Sequence, residues 1–170
     1  DAWHEYCDIK SMCKKQGKEF DFKVIYGVEA YLVDDLIGTV KNDKGQNFND
    51  SFVVFDLETT GFGAKSNQII EIGAVKVKDG KIVDTFSRLI DPECNIPYYI
   101  TNLTGITNDM VKGQDTIDIV LKDFIDFAEG DVIMGHNIMF DYSFLKCNAM
   151  AYSYKLEKRG IDTLKIARKT

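Results

Sequence analysis

The run Val53-Val54-Phe55-Asp56-Leu57-Glu58-Thr59-Thr60-Gly61 ends an apolar stretch in two carboxylates at i and i+2. Side chains alternate between faces along an extended strand, so Asp56 and Glu58 project from one face and Leu57 from the other. Alternation alone also produces Asp-x-Glu on a solvated strand, where it needs no ligand. Here Val53, Val54 and Phe55 are apolar at both parities, which predicts a strand covered on both sides. Two like charges a few ångströms apart in such a place are unfavourable unless a cation compensates them, so the pair is a candidate divalent-metal site. Oxygen-only ligands select Mg²⁺ or Mn²⁺ over zinc, and two such ions about 4 Å apart suit in-line attack on a phosphodiester. A centre of that kind needs further carboxylates. A second candidate set, Gly135-His136-Asn137-Ile138-Met139-Phe140-Asp141, falls where a short apolar run gives way to a helical pattern. Taken alone, Asp141 reads as a first-turn helix acid stabilised by the macrodipole.

The elements that position these residues follow from periodicity. Ser51 to Leu57 reads as an apolar strand, and Ile69 to Lys78 as a second that meets Lys81 to Ile90 through Asp79-Gly80, a two-residue hairpin signal. Three antiparallel strands are expected. Ile117, Val120, Leu121, Phe124, Ile125 and Ala128 share one helix face, with Asp115 or Thr116 as N-cap and Gly130 closing the helix. Val132 to Met134 then reads as a short buried strand and Phe140 to about Tyr152 as a helix, which gives α/β order after the meander.

Ahead of this unit, Trp3, Tyr6, Cys7, Ile9, Met12 and Cys13 recur at near-helical spacing up to Gly17, and Phe22 to Val33 reads as two short strands joined at Gly27. Residues 38–50 have the Gly, Asn, Asp and Lys content of a linker. The expected organisation is a small α/β piece over 1–37, a linker over 38–50 and an α/β domain over 51–170. No initiator Met opens the chain, so it reads as a piece of a longer protein.

With 170 residues, 45% hydrophobic and 28% charged, the composition is that of a globular protein with one full core. No apolar run approaches the ~20 residues that span a bilayer, so no membrane partner and a cytoplasmic location are expected. The net charge of −6 argues against nonspecific adhesion to nucleic acid, which depends on Lys and Arg displacing counterions. Basic residues gather at one end, however: Lys146, Lys155, Lys158, Arg159, Lys165, Arg168 and Lys169, against Glu157 and Asp162. That end either faces phosphates or is a solvated helix surface. Cys7, Cys13, Cys94 and Cys147 lack paired spacing and read as small buried hydrophobes.

Taken together, the motifs resemble those of the DEDD exonuclease superfamily, the DnaQ-like group with a ribonuclease-H-like mixed sheet flanked by helices. Phe55 to Gly61 looks like its first motif, Gly135 to Asp141 its second, Asn102-Leu103-Thr104-Gly105-Ile106-Thr107 its intervening loop, and Ile161-Asp162-Thr163-Leu164 to Arg168 the segment after the second motif. Four ordered motifs are far more specific than one. Lys23 to Asp35 resembles the polymerase-and-histidinol-phosphatase (PHP) domain, which flanks such an exonuclease in the PolC-type DNA polymerase III alpha subunits. The resemblance implies a proofreading 3′→5′ exonuclease in which Asp56, Glu58 and Asp141 hold two Mg²⁺ or Mn²⁺ ions with a fourth carboxylate. The substrate would be a single-stranded or frayed 3′ end of DNA, and the remainder of the polymerase and the replisome would be partners. By the same resemblance Leu57, Thr59 and Thr60 border the terminal nucleotide and Phe140 its neighbour, with Gly61, His136 and Asn137 completing the substrate-contacting set. The third motif, a general-base His and a final Asp five residues later, should lie beyond Asp162. His136 and Asp141 share that spacing but belong to the second motif, so the domain reads as incomplete at its C-terminus. Glu29 matches a PHP metal-ligand position, without the His-rich motifs that complete such a site. An RNA-trimming exonuclease of the same superfamily and a catalytically incomplete nucleic-acid-binding insert are the alternatives.

Overall fold

A computed structural model describes residues 49–157 and 160–168, together with Met12, Lys15, Val40 and Lys41. The chain divides into two compact units, Asp1–Val33 and Asp34–Thr170. In the first, Met12 and Lys15 are helical and exposed; the rest of the expected helix, the strand pair over 22–33 and the PHP-like segment lie outside the described residues.

The second unit is built on the expected meander. Strands β2 (Phe52–Thr59), β3 (Ile69–Lys78) and β4 (Lys81–Leu89) run antiparallel in sequence. Asp79 at φ 50° and Gly80 at φ 71° make the tight turn with both central residues left-handed, the geometry that matches strand twist. Helices α1 (Tyr98–Thr104) and α2 (Asn108–Val111) follow, then α3 (Ile117–Phe127), β5 (Val132–Gly135), α4 (Met139–Ala151), β6 (Gly160–Asp162) and α5 (Thr163–Ala167). With β1 (Val40–Lys41), the described strands form a mixed sheet in the order β1-β6-β5-β2-β3-β4. β5 runs parallel to β2 and β6 parallel to β5, the consequence of crossing over through α3 and α4.

Val53, Phe55 and Leu57 of β2, with Ile72 and Ile133, face Val120, Leu121 and Phe124 of α3 and Phe144 and Leu145 of α4 in one core. Phe124 anchors it, with ring centroids 5.5 Å from Phe55 and 5.8 Å from Phe86. Fully burying side chains of this size stabilises by about 1.5–3 kcal/mol each. A second cluster, Ile70, Ile96, Ile100, Ile106 and Val111, seats α1 and α2 beside the start of β3.

Three features differ from the sequence-based expectation. β2 is not covered evenly on both sides: Val53 and Phe55 are buried, Val54 is half-buried and Asp56 is exposed, because α3 and α4 pack on one face while a groove of about 630 Å³ opens on the other. Val40 and Lys41, within the stretch read as linker, pair with Ile161 and Gly160, since an open strand edge offers unpaired N–H and C=O groups to any extended neighbour. The segment read as an intervening loop is a helix junction. Asn102 to Thr104 close α1, Gly105 at φ 79° donates its N–H to Thr101 O, and Thr107 caps α2 by accepting from the Met110 N–H.

Candidate active site

The first two carboxylates stand where the strand geometry demands. Asp56 lies across from Gly73 and Glu58 from Glu71, so both project on the grooved face while Leu57 is 5% exposed in the core between them. β5 pairs with β2 only as far as Met134 opposite Val54. Past that point the Leu57 N–H has no strand partner on that side, and Asp141 Oδ1 accepts it at 3.3 Å. This bond brings the first turn of α4 to the end of β2. Gly135 makes the turn feasible, since a Cβ there would come within 3.3 Å of Phe55 O and of Ile138.

The three carboxylates sense one another. Glu58 is raised above its ordinary value by partial burial, then by the charge of Asp56 and that of Glu71 opposite. Asp141, buried in α4, is pushed up to about 6 from 3.8 by burial and by the charge of Asp56, with Glu58 adding to it. The Leu57 N–H works the other way but does not offset these effects. Among the described residues no three His, Cys, Asp or Glu side chains are drawn together as a ready-made metal cage. The donor chemistry does fit a hard divalent cation: oxygen donors only, carrying unrelieved like charge.

The remaining expected site residues divide into two groups. Thr59 and Thr60 are buried, and their hydroxyls serve the loop that follows: Thr59 Oγ1 donates to Gly61 O at 2.7 Å, and Thr60 Oγ1 accepts from the Gln68 N–H at 2.9 Å. Gly61 is enclosed beside Asn67. The side chains of Thr59 and Thr60, like that of Leu57, are buried. His136 and Asn137 are exposed and Phe140 is half-buried. His136 lines the groove with Asp56 and lies 3.3 Å, through Nδ1, from Thr163 Oγ1.

Sequence reasoning missed Phe62. It is 78% exposed between Gly61 and Gly63, with its ring centroid 6.5 Å from that of Phe140. Its signal was an aromatic residue flanked by glycines, a place with no neighbours to pack it. Cys94, read as a buried hydrophobe, is exposed, because it lies in the loop between β4 and α1 rather than inside an element.

The mixed α/β sheet thus carries paired carboxylates at the end of one strand, with a third entering from a helix. The chain belongs to the exonuclease family: residues 53–170 match its family model, described as "Exonuclease". It is 52% identical over 152 residues to the DNA polymerase III PolC-type of Clostridium perfringens, covering 89% of this chain and 10% of that protein. The corresponding protein of Caldanaerobacter subterraneus is 46% identical, at 89% and 11% coverage. The chain thus spans about a tenth of the length of these curated relatives. A match over 89% of the chain exceeds what residues 53–170 can hold, so the likeness runs into the segment ahead of them. Among solved structures, product-bound exonuclease I shares the fold at a TM-score of 0.63 and 14% identity, over 70% of this chain and 31% of that one. Exonuclease X, solved in complex with 5′ overhanging duplex DNA, has a TM-score of 0.55 and 29% identity, over 69% of this chain and 63% of that one.

Proposed function

We propose that this chain is the core of a 3′→5′ proofreading exonuclease within a PolC-type replicative DNA polymerase of the cytoplasm. It would hydrolyse the 3′-terminal phosphodiester of frayed DNA and release nucleoside monophosphates. The observation that carries the reading is the coupled carboxylate trio: Asp141 is buried and pushed up to about 6 largely by burial and the charge of Asp56, which itself lines an open groove. Asp56, Glu58 and Asp141 are the residues that would hold Mg²⁺ or Mn²⁺. When bound, such ions supply charge stabilisation for the attacked phosphate and lower the pKa of an attacking water.

The chain's own residues do the positioning. Asp141 is tied to β2 through the Leu57 N–H, which fixes one carboxylate relative to the other two. Phe62, exposed, and Phe140, half-buried and next to Asp141 in sequence, form an aromatic pair suited to stacking on any base, which matches a substrate read by its 3′ end rather than its sequence. The polymerase setting is supported by the PolC-type relatives and by the likeness that extends ahead of the exonuclease segment.

The test is Mn²⁺-dependent release of nucleotides from 3′-labelled single-stranded DNA and RNA, by this chain, by its Asp56→Ala variant and by a polypeptide carried on past Thr170. Activity that prefers DNA and is lost with Asp56→Ala is the expected result. Equal or greater activity on RNA transfers the chain to RNA trimming. No activity from the longer polypeptide on either substrate removes the exonuclease reading in favour of a binding insert.

A further inference from the structure

The turn that launches α4 has no side-chain cap at its own N-cap residue, Ile138. Asn137 sits at φ 60°, a left-handed conformation that asparagine adopts more readily than other residues with a Cβ and that leaves the turn to be held from outside. Turns of that kind persist where their surroundings hold them. The grip here comes from the junction of β6 and α5. Asp162, 4% exposed, accepts the N–H of Asn137 and that of Leu164 on the same Oδ1, each at 3.1 Å. Its neighbour Thr163 donates to Gly135 O at 3.2 Å and contacts His136 Nδ1 at 3.3 Å. Three consecutive residues of the turn, 135 to 137, are therefore bonded by two consecutive residues at the junction of β6 and α5, brought alongside by the Gly135–Asp162 register.

What the turn carries is Asp141. The Phe140 N–H bonds to Asn137 O at 2.9 Å and the Tyr142 N–H to Ile138 O at 2.8 Å, so the turn and the first helical turn move as one body. At 3.3 Å, the bond from the Leu57 N–H to Asp141 Oδ1 is already at the long end for an N–H donor. A shift of a few tenths of an ångström at the start of α4 removes it.

We infer that Asp162 is a positioning residue: by clamping the left-handed Asn137 turn to β6, it fixes where Asp141 stands against β2. The inference rests on the proposed function only for its catalytic meaning; the clamp itself is a property of this chain. Among the described residues Asp162 is hydrogen-bonded to Asn137 and Leu164, not to Leu57 or Asp141, and a whole strand, β5, lies between β6 and β2. That separation gives the test its power.

Amide hydrogen exchange is measured by NMR on the full, metal-free chain, and Mn²⁺ affinity is measured alongside, for the wild type and three variants. Asp162→Ala is expected to speed exchange at the Leu57 amide and to weaken Mn²⁺ binding about tenfold, the usual cost of losing a group that orients a metal ligand. Asp162→Asn keeps an acceptor oxygen and should stay near wild type on both counts. Asp162→Ser keeps an N-cap acceptor for Leu164 while losing the reach to Asn137, and covers the case in which the alanine variant does not fold. It is expected to behave like the alanine variant at Leu57. A merely structural cap would alter the melting temperature and the Asn137 and Leu164 amides, yet leave Leu57 untouched; that result in either folded variant overturns the inference. If the wild type binds no Mn²⁺, the proposed metal reading fails, while the Leu57 amide still decides whether Asp162 positions Asp141.

Discussion

Replacing Asp141 by Asn removes a charge while keeping the shape of the side chain and the oxygen that accepts the Leu57 N–H. In the folded chain this carboxyl is 3% exposed and titrates near 6 instead of 3.8, because burial and the charge of Asp56 both oppose its ionised form. Between those two pH values the folded state holds a proton that the unfolded state has released, so stability falls as pH rises through the window. Above pH 6 the folded chain bears the whole cost. At about 1.4 kcal/mol for each tenfold, the ceiling is about 3 kcal/mol, and about 1–2 kcal/mol remains once solvent in the adjoining groove screens the charges. In the presence of a chelator, Asp141→Asn should therefore be about 1–2 kcal/mol more stable than the wild type at pH 7.5, with the gain falling to about a third at pH 4.5. Urea unfolding followed by far-ultraviolet circular dichroism at both pH values measures this directly. Saturating Mn²⁺ should reverse the order, since an ion at a hundred times its dissociation constant stabilises the wild type by about 2.7 kcal/mol. An asparagine variant that is less stable at pH 7.5 without metal, or whose advantage does not depend on pH, would refute the account of the site as unrelieved negative charge.

Phe62→Ala should leave thermal stability unchanged, because the ring is largely exposed, yet weaken binding of a fluorescent single-stranded oligonucleotide by about 1–3 kcal/mol if it stacks on a base; fluorescence anisotropy reads the difference. Phe124→Ala should cost about 3–5 kcal/mol in urea unfolding, since the fully buried ring joins β2, β4 and α3. Gly80→Ala forces a Cβ into φ 71° and should cost about 1 kcal/mol. Arg88→Ala loses its pairings with Asp115 and Asp123, but all three side chains are well exposed, so denaturant melts should shift by less than about 1 kcal/mol.

The meander, its Asp79-Gly80 turn, α3 and α4 were legible because each carries a local signal: alternation, a two-residue turn or a 3-4 apolar stripe. So was the facing of Asp56 and Glu58, which follows from strand geometry alone. The environment of that pair was not. Apolar residues at both parities suggested cover on both faces, but Val54 belongs to the wall of an open groove, and the burial falls instead on Asp141, whose partner is 84 residues away in sequence. Helix α1 escaped notice because Tyr98, Tyr99 and Leu103 are exposed and only Ile100 is buried, which leaves no amphipathic stripe to read. β6 is three residues long and β1 two, lengths at which pairing is decided by the available edge rather than by propensity. The roles of Thr59, Thr60 and Asp162 were hidden for a similar reason: a hydroxyl or carboxylate bonded to a distant backbone N–H leaves no pattern in its own neighbourhood.

The order in which the strands lie across the sheet also sets an order in time. β2, β3 and β4 are consecutive and joined by short connections, so they can pair as soon as a growing chain has supplied them. β5 joins only after α3 has been made, and β6 only after α4. β1, synthesised first, waits for β6 before it has an edge to pair with. Since β6 brings Asp162 to the Asn137 turn, that bond cannot form until β6 has been synthesised. A nascent chain halted before Gly160 would have its hairpin strands in hand but neither Asp162 nor Thr163 to bond the 135–137 turn.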